Sequence, residues 1–431
     1  MGYARAPKGG RELNWPAYKL SDLTDRFISG GTPGTKVTKY WDGEIPWITG
    51  ADFTEGEVIL GRKYINEKAV ENSATNVVPK GSILLVTRTG VGKLAIAPVD
   101  IAISQDITGV ILKPQVNPAF LAAALKSKMP LLLSAQRGAT IKGITRKDLE
   151  KLKIELPAYS EQQKIVEILG RADALRKKRA EADAIAERIL PALFYRLFGD
   201  PGTNPKGWPV VPITELVDSI ERRDPSLQPK EPFFYIDIAG VDGQLGAITG
   251  ARKLIGSEAP GRARQIIAAN DVLISTVRPY LRATALVPAL YDKQICSTGF
   301  CVLRAKGSSG FGFLYTLSRL QWFTDQLTAR ARGASYPAVT DTDVLGLSVP
   351  HPNDGNSLES LDRQVLDYLL LKEKQRKVGT RIALLFEVLL HRAFSGDLTA
   401  KWREAHMKEL LVEMEEQDRF LKTRSKEVAN D

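Results

Sequence analysis

The sequence predicts an α+β protein built from two tandem mixed α/β modules, each followed by a long α-helix. Three observations support this fold class: an internal repeat, short β-rich runs within each copy, and a long helical pattern after each copy. We expect the modules at 15–157 and 208–352, the long helices at 158–200 and 357–397, and a C-terminal helical tail at 400–426. The two long helices are expected to pair as an antiparallel coiled coil.

The internal repeat is the strongest of these observations. The segment Arg137–Pro157 matches Arg332–Pro352 at an offset of 195 positions, and the two share an Arg-Gly-Ala start, a Thr, an Asp, a Leu and the final Pro. The beginnings of the modules, Trp15–Asp25 and Trp208–Asp218, match at an offset of 193. Two similar modules give two similar surfaces, so we expect a protein that binds its partner at two places.

Within the first module, β-rich runs separated by Gly, Pro, Asn and Asp predict strands. These runs lie at Ile45–Thr49, Gly81–Thr87, Leu94–Ala97 and Ile107–Lys113. One helix is expected at Pro118–Leu125, with the proline in its first turn. The second module is expected to have a matching helix near Phe311–Leu320.

The long helices are indicated by apolar residues that recur at three- and four-residue steps. The first begins with the capping-box pattern of Ser160 and Gln163 and ends before Gly199. The second covers Leu358–Phe394 and ends before Ser395. A helix of about 37 residues is about 55 Å long, which suits a coiled-coil arm better than a compact domain. The alternative is that each helix packs only on its own module.

The charge balance indicates either an ordinary basic protein or one with a polyanionic partner, most often nucleic acid. The net charge is +10 and the isoelectric point is near 9.3. The surplus within the modules is modest, with 19 basic against 14 acidic residues at 15–157 and 15 against 13 at 208–352. Charge alone therefore permits a nucleic-acid partner without requiring one.

The usage of cysteine and histidine indicates a reducing compartment and no zinc site. Cys296 and Cys301 are the only cysteines, and both are expected to be buried free thiols in the cytoplasm. The three histidines are scattered, which argues against a metal site. The sequence contains no run of about 18 apolar residues, so we expect no transmembrane helix. The N-terminal residues lack the apolar region of a signal peptide. We expect a cytoplasmic protein without a membrane partner.

Motifs for catalysis are missing from the sequence. The segment Arg88–Lys93 faintly resembles a phosphate-binding loop, but Thr87 and Leu94 stand where that motif needs Gly and Ser or Thr. The chain contains no Gly-x-Gly-x-x-Gly after a strand, no Gly-x-Ser-x-Gly elbow and no Asn/Asp-Pro-Pro-aromatic tetrad. We therefore expect no catalytic residue, no metal and no cofactor on this chain.

Basic and aromatic residues beside predicted turns are the candidate contacts to nucleic acid, because arginine reads guanine bidentately and also holds phosphates. The candidates are Lys39, Arg88, Lys93, Arg137, Lys142, Arg262, Arg264, Arg278, Tyr280, Arg282 and Arg332. The pairs Arg262/Arg264 and Arg278/Arg282 are the strongest, since they lie next to turns. For each candidate the alternative is an ordinary solvated charge, and Trp41 and Trp47 are expected in the core rather than stacked on bases.

Arg278 and Arg282 follow the apolar strand Val272–Val277, where Pro279 ends regular strand pairing. Their side chains are expected to project from a rigid frame into a loop, and such loops carry recognition. Three roles remain open for Arg278: contact with a guanine edge, contact with phosphate, or a structural contact within the module.

Several motifs together resemble the specificity subunit of type I restriction-modification systems over nearly the whole chain. They are Gly30-Gly31-Thr32-Pro33, Tyr40-Trp41-x-Gly43-x-Ile45-Pro46-Trp47, Ser82–Arg88, Asp271–Pro279, Ser297–Phe300, Leu156-Pro157 with Glu161-Gln162-Gln163-x-Ile165, and Ala393–Thr399. One departure is that the second long helix carries Asp362-Arg363-Gln364 in place of Glu-Gln-Gln, after an insert at 353–357. This departure affects the expected register of the second helix.

The resemblance implies that each module is a target-recognition domain for one half of a bipartite site on double-stranded DNA, and that the helices set the gap between the halves. It also implies two methylation subunits docked on the helices, with S-adenosylmethionine bound there, and restriction subunits that use ATP and Mg²⁺. This chain would then be non-catalytic. The alternatives are a standalone methyltransferase or nuclease, or a coiled-coil protein adaptor.

Overall fold

A computed structural model of the chain describes residues 15–54, 56–134, 143–307, 310–352 and 354–427. Within 15–157 the strands are β1 Ala17–Lys19, β2 Thr24–Ser29, β3 Ile45–Ile48, β4 Tyr64–Ile65, β5 Asn76–Val78, β6 Ile83–Val86, β7 Leu94–Ile96, β8 Ile101–Ile103, β9 Ile107–Leu112 and β10 Lys153–Glu155. The helices are α1 Leu20–Leu23, α2 Glu67–Glu71, α3 Pro118–Ser134 and α4 Arg146–Glu150. The strands predicted in the first module are confirmed, with ends trimmed by a residue or two.

The remaining elements follow in chain order. The first long helical segment comprises α5 Tyr159–Ala186 and α6 Ile189–Phe198. The second set of strands is β11 Val210–Pro212, β12 Val217–Asp218, β13 Pro232–Ile236, β14 Val241–Asp242, β15 Ala247–Ile248, β16 Arg252–Ile255, β17 Ala263–Ile266, β18 Val272–Ser275, β19 Thr284–Leu286, β20 Ile295–Ser297, β21 Phe300–Ala305 and β22 Ser348–Pro350. The helices here are α7 Phe311–Ser318, α8 Gln321–Arg330 and α9 Asp341–Leu345, followed by α10 Gly355–Phe394, α11 Ala400–Ala405 and α12 Met407–Glu427. Short 3₁₀ helices lie at Thr38–Tyr40, Gly50–Asp52, Ile213–Glu215, Pro225–Leu227, Ile238–Gly240, Gly256–Glu258, Pro279–Leu281 and Ala289–Tyr291.

The duplication seen in the sequence is also a duplication of sheet topology. The sheet order β2-β9-β6-β7 of the first module corresponds to β12-β21-β18-β19 of the second. The order β4-β3-β8-β5 likewise corresponds to β16-β13-β20-β17, with one parallel pair in each, and the pair β1-β10 corresponds to β11-β22. The second module adds the hairpin β14–β15. The α+β fold class is therefore confirmed.

The central strand of each module is buried along its whole length. Every residue of β6 and of β18 is buried, which explains why both read as continuous apolar runs rather than as an alternating pattern. Each strand has antiparallel neighbours on both sides. Because such a strand cannot shift its register without breaking two ladders, the loop that follows it starts from a fixed point.

Three helical predictions differ from the structure. Helix α3 continues to Ser134 instead of ending at Leu125, because Met129 and Leu132 extend its buried face. The first long helix, expected as one piece, is interrupted at Glu187 and Arg188. Pro191 explains the break, since its ring crowds the carbonyl four residues earlier. The C-terminal tail is two helices, α11 and α12, instead of one.

The chain divides into two compact units, one formed by residues 1–176 with 381–431 and the other by residues 177–380. Each unit therefore contains one module, part of the first long helix and part of the second. In the first unit, Phe394 at the end of α10 packs 5.7 Å from Phe120 of α3. In the second unit, Phe198 at the end of α6 packs 5.3 Å from Phe313 of α7. Each module thus receives the end of a long helix in its core.

Polar groups fix the start of each long helix against its module. Gln162 Oε1 accepts a hydrogen bond of 2.8 Å from the backbone N–H of Asn117, just before α3. At the start of α7, the backbone N–H groups of Gly310 and Gly312 donate to Asp362 at 2.7 and 2.6 Å. Burial raises the pKa of the Asp362 carboxyl, and these two donors oppose that shift. Gln162 and Asp362 therefore perform the same task in the two modules.

This correspondence corrects the register expected for the second helix. The alignment of Asp362–Gln364 with Glu161–Gln163 is shifted by one residue, because Asp362 is the counterpart of Gln162 and Leu361 the counterpart of Glu161. Leu361 and Glu161 are both fully buried. An apolar residue therefore occupies in one module the place that a carboxylate occupies in the other.

Glu161 can be buried because the C-terminal tail and Trp15 supply its hydrogen-bond donors. Thr399 Oγ1 and Arg403 Nε donate to Glu161 Oε1 at 2.6 and 2.8 Å, and Trp15 Nε1 donates to Oε2 at 3.1 Å. The Arg403 guanidinium also lies 5.1 Å from the Trp15 ring centroid. Hence the tail, α11 in particular, is held on the first module by a buried ion pair.

Helix α12 continues this docking along the first module. Glu413 accepts hydrogen bonds from the backbone N–H of Ser160 at 2.8 Å and from its hydroxyl at 2.5 Å. The Tyr18 hydroxyl donates to Asp418 Oδ1 at 2.9 Å, and burial together with this bond raises the pKa of Tyr18. Leu421 is buried in the core of the module. The tail is therefore part of the first unit.

Replacing Glu161 by Gln should destabilise the first unit by about 3–5 kcal/mol, because a buried guanidinium loses its counter-charge. The measurement is urea unfolding of the full chain, followed by circular dichroism. The matched control is Glu167→Gln on the same helix, which removes an exposed pair with Arg171 and should change stability little. Equal stability of the two variants would contradict the structural role of Glu161.

Candidate nucleic-acid interface

The central strand β18 of the second module leads directly into a loop with an unusual backbone. Arg278 and Arg282 bracket the 3₁₀ helix Pro279–Leu281, and both adopt left-handed backbone angles, with φ of 49° and 50°. A non-glycine residue in such a conformation costs about 1–3 kcal/mol and persists only where the surroundings impose it. The loop 278–282 is therefore held in one conformation.

A second loop, 332–338, supplies part of that constraint. Arg332 and Ala338 exchange two backbone hydrogen bonds of 2.9 Å, which closes a tight hairpin with Gly333 at φ 102°. The N–H of Arg278 donates to the carbonyl of Pro337 at 2.7 Å. We call the segments 278–282 and 332–338 the loop pair. Main-chain bonds hold its two members side by side.

The central strand β18, which leads into the loop pair, is held at one end by an ion pair and at the other by a backbone hydrogen bond. Arg304 donates from Nε and Nη2 to the two carboxylate oxygens of Asp271 at 2.9 and 2.7 Å, beside the start of β18. The hydrogen bonds to Asp271 raise the pKa of Arg304. At the other end of the strand, the N–H of Val339 donates to the carbonyl of Thr276 at 2.9 Å. Both ends of β18 are thereby fixed.

The side chains of the loop pair are basic and aromatic. The Arg278 guanidinium lies 4.7 Å from the ring centroid of Tyr336, which is 70% exposed. Tyr280 is also exposed, and Arg282 donates to Gln321 of α8. Arg332 is exposed, with Nη2 3.7 Å from Asp343. The structure therefore brings together four of the predicted residues: Arg278, Tyr280, Arg282 and Arg332.

Asp343 belongs to the turn that supports the hairpin. It accepts hydrogen bonds from the backbone N–H of Thr340 at 2.9 Å and from its hydroxyl at 2.7 Å. These bonds lower the pKa of the Asp343 carboxyl, and the nearby Arg332 lowers it further. The Asp343 carboxylate thus stabilises the start of α9.

The predicted pair Arg262 and Arg264 separates into two kinds of residue. Arg264 is tied to its own module, with Nη2 3.1 Å from Asp224 Oδ2 and Nη1 2.9 Å from the carbonyl of Ala263. Arg262, just before β17, is exposed, and among the described residues its side chain has no hydrogen-bond or ion-pair partner. Arg262 is therefore free to bind a ligand, whereas Arg264 is engaged in the fold.

The first module has the same backbone arrangement after its central strand β6. The N–H of Ile144 donates to the carbonyl of Thr87 at 2.9 Å, in the same way as Val339 to Thr276. Arg88 follows directly and is exposed. Lys93 Nζ donates to the carbonyl of Gly50 at 2.9 Å, so its charge bridges two loops of the module.

The other predicted residues of this module are less informative. Lys39 is exposed in the 3₁₀ helix Thr38–Tyr40, and its carbonyl accepts from Asn66 at 2.7 Å. Arg137 and Lys142 lie outside the described residues. Trp47 is buried and Trp41 is partly buried, with their rings 5.1 Å apart and edge to face. Their expected place in the core is confirmed.

Tyr336 was not among the predicted residues, although the structure places it at the centre of the loop pair. The repeat gives no signal there, because its counterpart at an offset of 195 is Ile141. The available signal was the Tyr-Pro step at 336–337, three residues before the repeated Thr340. It could have indicated an exposed aromatic side chain at a turn.

The described residues offer neither a metal site nor a membrane-spanning helix. In that part of the chain, no group of three or more His, Cys, Asp or Glu side chains is placed to hold a metal ion. No helix there is long and apolar enough to cross a membrane. Cys296 and Cys301 are buried free thiols, as expected, and burial raises the pKa of both.

Comparison with known proteins points to one family. Residues 12–183 match the family model of the type I restriction modification DNA specificity domain. The specificity subunit of the type I restriction enzyme MjaIX from Methanocaldococcus jannaschii is 32% identical over 224 residues, which is 47% of this chain and 52% of that protein. The EcoDI specificity subunit from Escherichia coli is 23% identical over 432 aligned positions, covering 92% of this chain and 91% of that protein.

A solved structure shows the same fold over most of the chain. The crystal structure of the type I restriction-modification S subunit from M. genitalium covers 90% of this chain and 98% of its own, with a TM-score of 0.56 and 15% identity. The chain spans about half the length, or less, of the first curated relatives that it matches. The resemblance drawn from the motifs is confirmed, since the chain is similar in sequence to type I specificity subunits and has the fold of one solved S subunit.

The two arginines beside β17 provide a matched test of the interface. Arg262→Ala should weaken DNA binding, lower the salt slope by about one unit and leave the melting temperature unchanged. Arg264→Ala should instead lower the melting temperature, because Asp224 and the carbonyl of Ala263 lose their donor. Binding titrations at several salt concentrations and melting curves check both. If both variants lowered only the melting temperature, Arg262 would be removed from the interface.

Proposed function

We propose that this chain is the DNA-recognition subunit of a type I restriction-modification complex, in which each module binds one half of a bipartite target on double-stranded DNA. The observation that carries the proposal is the repeated frame. In each module, a fully buried central strand is followed by a Thr whose carbonyl accepts a hydrogen bond from a residue far along the chain, and arginine follows within two residues. The match of residues 12–183 to a DNA specificity domain supports the same assignment.

The two half-sites should differ in sequence. At the end of the central strand the first module has Thr87-Arg88-Thr89, and the second has Thr276-Val277-Arg278. The frames are alike, but the side chains that they present are not. Since base edges are read by individual side chains whereas phosphates are held by charge, different side chains on a common frame favour two different half-sites.

The long helices are proposed to pair antiparallel and to set the distance between the half-sites. Within the first unit, Arg176 of α5 lies 4.9 Å from the ring of Phe386 of α10. Within the second unit, Glu187, directly after α5, pairs with Lys372 of α10. Between these two contacts the residue number rises from 176 to 187 in the first helical segment and falls from 386 to 372 in α10, as antiparallel packing requires. Helix α5 alone has 28 residues and is about 42 Å long, more than one DNA turn of about 34–36 Å.

Partner subunits are proposed to supply the chemistry. Two methylation subunits would dock on the long helices and bind S-adenosylmethionine, and restriction subunits would use ATP and Mg²⁺. Large apolar side chains exposed on these helices support a docking role. They include Leu175, Ile185, Leu370 and Leu384, which are 52%, 66%, 62% and 64% exposed. The chain itself is proposed to be non-catalytic and cytoplasmic.

Exchange of residues 208–352 for the corresponding module of another specificity subunit should change one half of the target and leave the other half unchanged. The reason is that each module has a complete frame of its own. The measurement is a genome-wide map of methylated adenines in a host that carries the chain with its methylation subunit. A change in both halves at once would contradict the proposal, and methyl transfer by the chain alone would favour a standalone enzyme.

Insertion of four residues into α5 between Ala180 and Ala184 should lengthen the gap and leave both half-sites intact, since the helix becomes longer by about one turn, or about 6 Å. The control is Glu181→Ala, which changes the sequence of α5 without changing its length. The same methylation map gives the result. An unchanged gap in a folded and active insertion variant would show that the helices do not determine the spacing.

A further inference from the structure

We propose that Tyr336, with the guanidinium of Arg278 stacked on its ring, contacts bases in the half-site of the second module and helps to determine its sequence. This inference rests on the proposed function and goes beyond it, because Tyr336 is not among the residues that the sequence singled out. The proposed ligand is the major groove of double-stranded DNA.

The first argument is the exposure of Tyr336. Tyr336 is 70% exposed, so its ring contributes little to the core of the module. The Arg278 guanidinium lies 4.7 Å from the ring centroid and covers one face of it. Because Arg278 and Tyr336 belong to different members of the loop pair, the stacking positions a planar donor group and an aromatic ring as one unit.

The second argument is the strain of Arg278. Its φ of 49° is unfavourable for a residue with a side chain, and its backbone is held there by the hydrogen bond of 2.7 Å to Pro337. The Arg278 Nε atom is buried and has no hydrogen-bond partner among the described residues. Strained backbones and unsatisfied buried donors in an otherwise well-bonded module are typical of functional sites.

The third argument is the charge around the pair, which favours DNA over a protein partner. The loop pair contains Arg278, Arg282 and Arg332 and no carboxylate. The nearby carboxylate of Asp343 lies 3.7 Å from Arg332 and accepts two hydrogen bonds, from the backbone N–H and the hydroxyl of Thr340. A surface with three arginines and exposed aromatic rings suits a polyanion with apolar base edges.

The expected contact follows from the shapes of the two side chains. The two Nη groups of a guanidinium match the N7 and O6 acceptors of guanine in the major groove. The Tyr336 ring lies beside the guanidinium, where it would pack against the edge of a neighbouring base, such as the methyl group of thymine. Tyr336 is therefore a base-contacting residue, and it also positions Arg278.

The test uses the chain in complex with its methylation subunits. The complexes compared are the unmodified one, the single variants Tyr336→Ala, Tyr336→Phe, Arg278→Lys and Arg278→Ala, and the double variant Arg278→Ala/Tyr336→Ala. The control is Leu290→Ala, which truncates a side chain 71% exposed in another turn of the same module. For each complex the methylated sequence is mapped, binding to the mapped site and to single-base variants is measured at several salt concentrations, and a melting curve is recorded.

Tyr336→Ala should lower affinity for the mapped site roughly tenfold or more and relax one or two positions of one half only. Tyr336→Phe should keep most of the preference, since the ring remains. Arg278→Lys keeps the charge but loses the planar fork, so it should relax the same half with an unchanged salt slope. The double variant should be little worse than Arg278→Ala alone, because the ring acts partly through the guanidinium.

An unchanged methylated sequence and affinity for Tyr336→Ala, with an active unmodified complex, would overturn this inference and leave the proposed function standing. Equal loss of affinity on all DNA sequences would show a phosphate or structural role and would also overturn it. If the unmodified complex showed no sequence-specific binding, the proposed function itself would fail, and this inference with it. The Leu290→Ala control should match the unmodified complex throughout.

Discussion

In the second module, the hydrogen bond from the N–H of Val339 to the carbonyl of Thr276 joins the end of the buried central strand to the hairpin that follows in space. The first module has the same bond from Ile144 to Thr87. The hydrogen bond from the N–H of Arg278 to the carbonyl of Pro337 joins the same two loops a second time. Through these bonds, the strand, the loop after it and the hairpin form one rigid edge. The arginines of the loop pair depend on that edge for their position.

The two modules use different side chains to hold the beginning of a long helix. Both must hold the beginning of a long helix, and both do so with a side-chain acceptor, Gln162 in one and Asp362 in the other. Next to that acceptor, however, the first module buries Glu161, whereas the second buries Leu361. The difference follows from the tail, because Arg403 and Thr399 are available to Glu161. An apolar residue is the ordinary choice where no donor arrives to compensate a buried charge.

Much of the fold could be predicted from the sequence, because the signals for it are local or periodic. The repeat, the apolar runs of β6 and β18 and the helical pattern of α10 each lie within one stretch of chain. The break before Pro191 is a local effect of the proline ring, which the apolar periodicity does not record. The one-residue shift at Asp362 depends on a distant element, because the N–H groups that donate to its carboxylate belong to Gly310 and Gly312.

The candidate site was predictable only in part, for the same reason. Arg278 and Arg282 could be found because Pro279 follows a strongly apolar strand. The difference between Arg262 and Arg264 could not, since both are arginines beside the same strand and only the position of Asp224 separates them. Tyr336 was missed because its role depends on Arg278 being placed beneath its ring by a bond between two loops.

The loop pair owes its shape to main-chain hydrogen bonds rather than to its side chains. The bonds at Arg332, Ala338 and Pro337 use only N–H and carbonyl groups, which every amino acid other than proline provides in full. Substitutions at Tyr280, Tyr336 and similar exposed positions can therefore accumulate without loss of the frame. Under the proposed function, a few such substitutions would change the DNA target while the stability stays nearly constant. The side chains of the loop pair can thus vary independently of the main-chain hydrogen bonds that give it its shape.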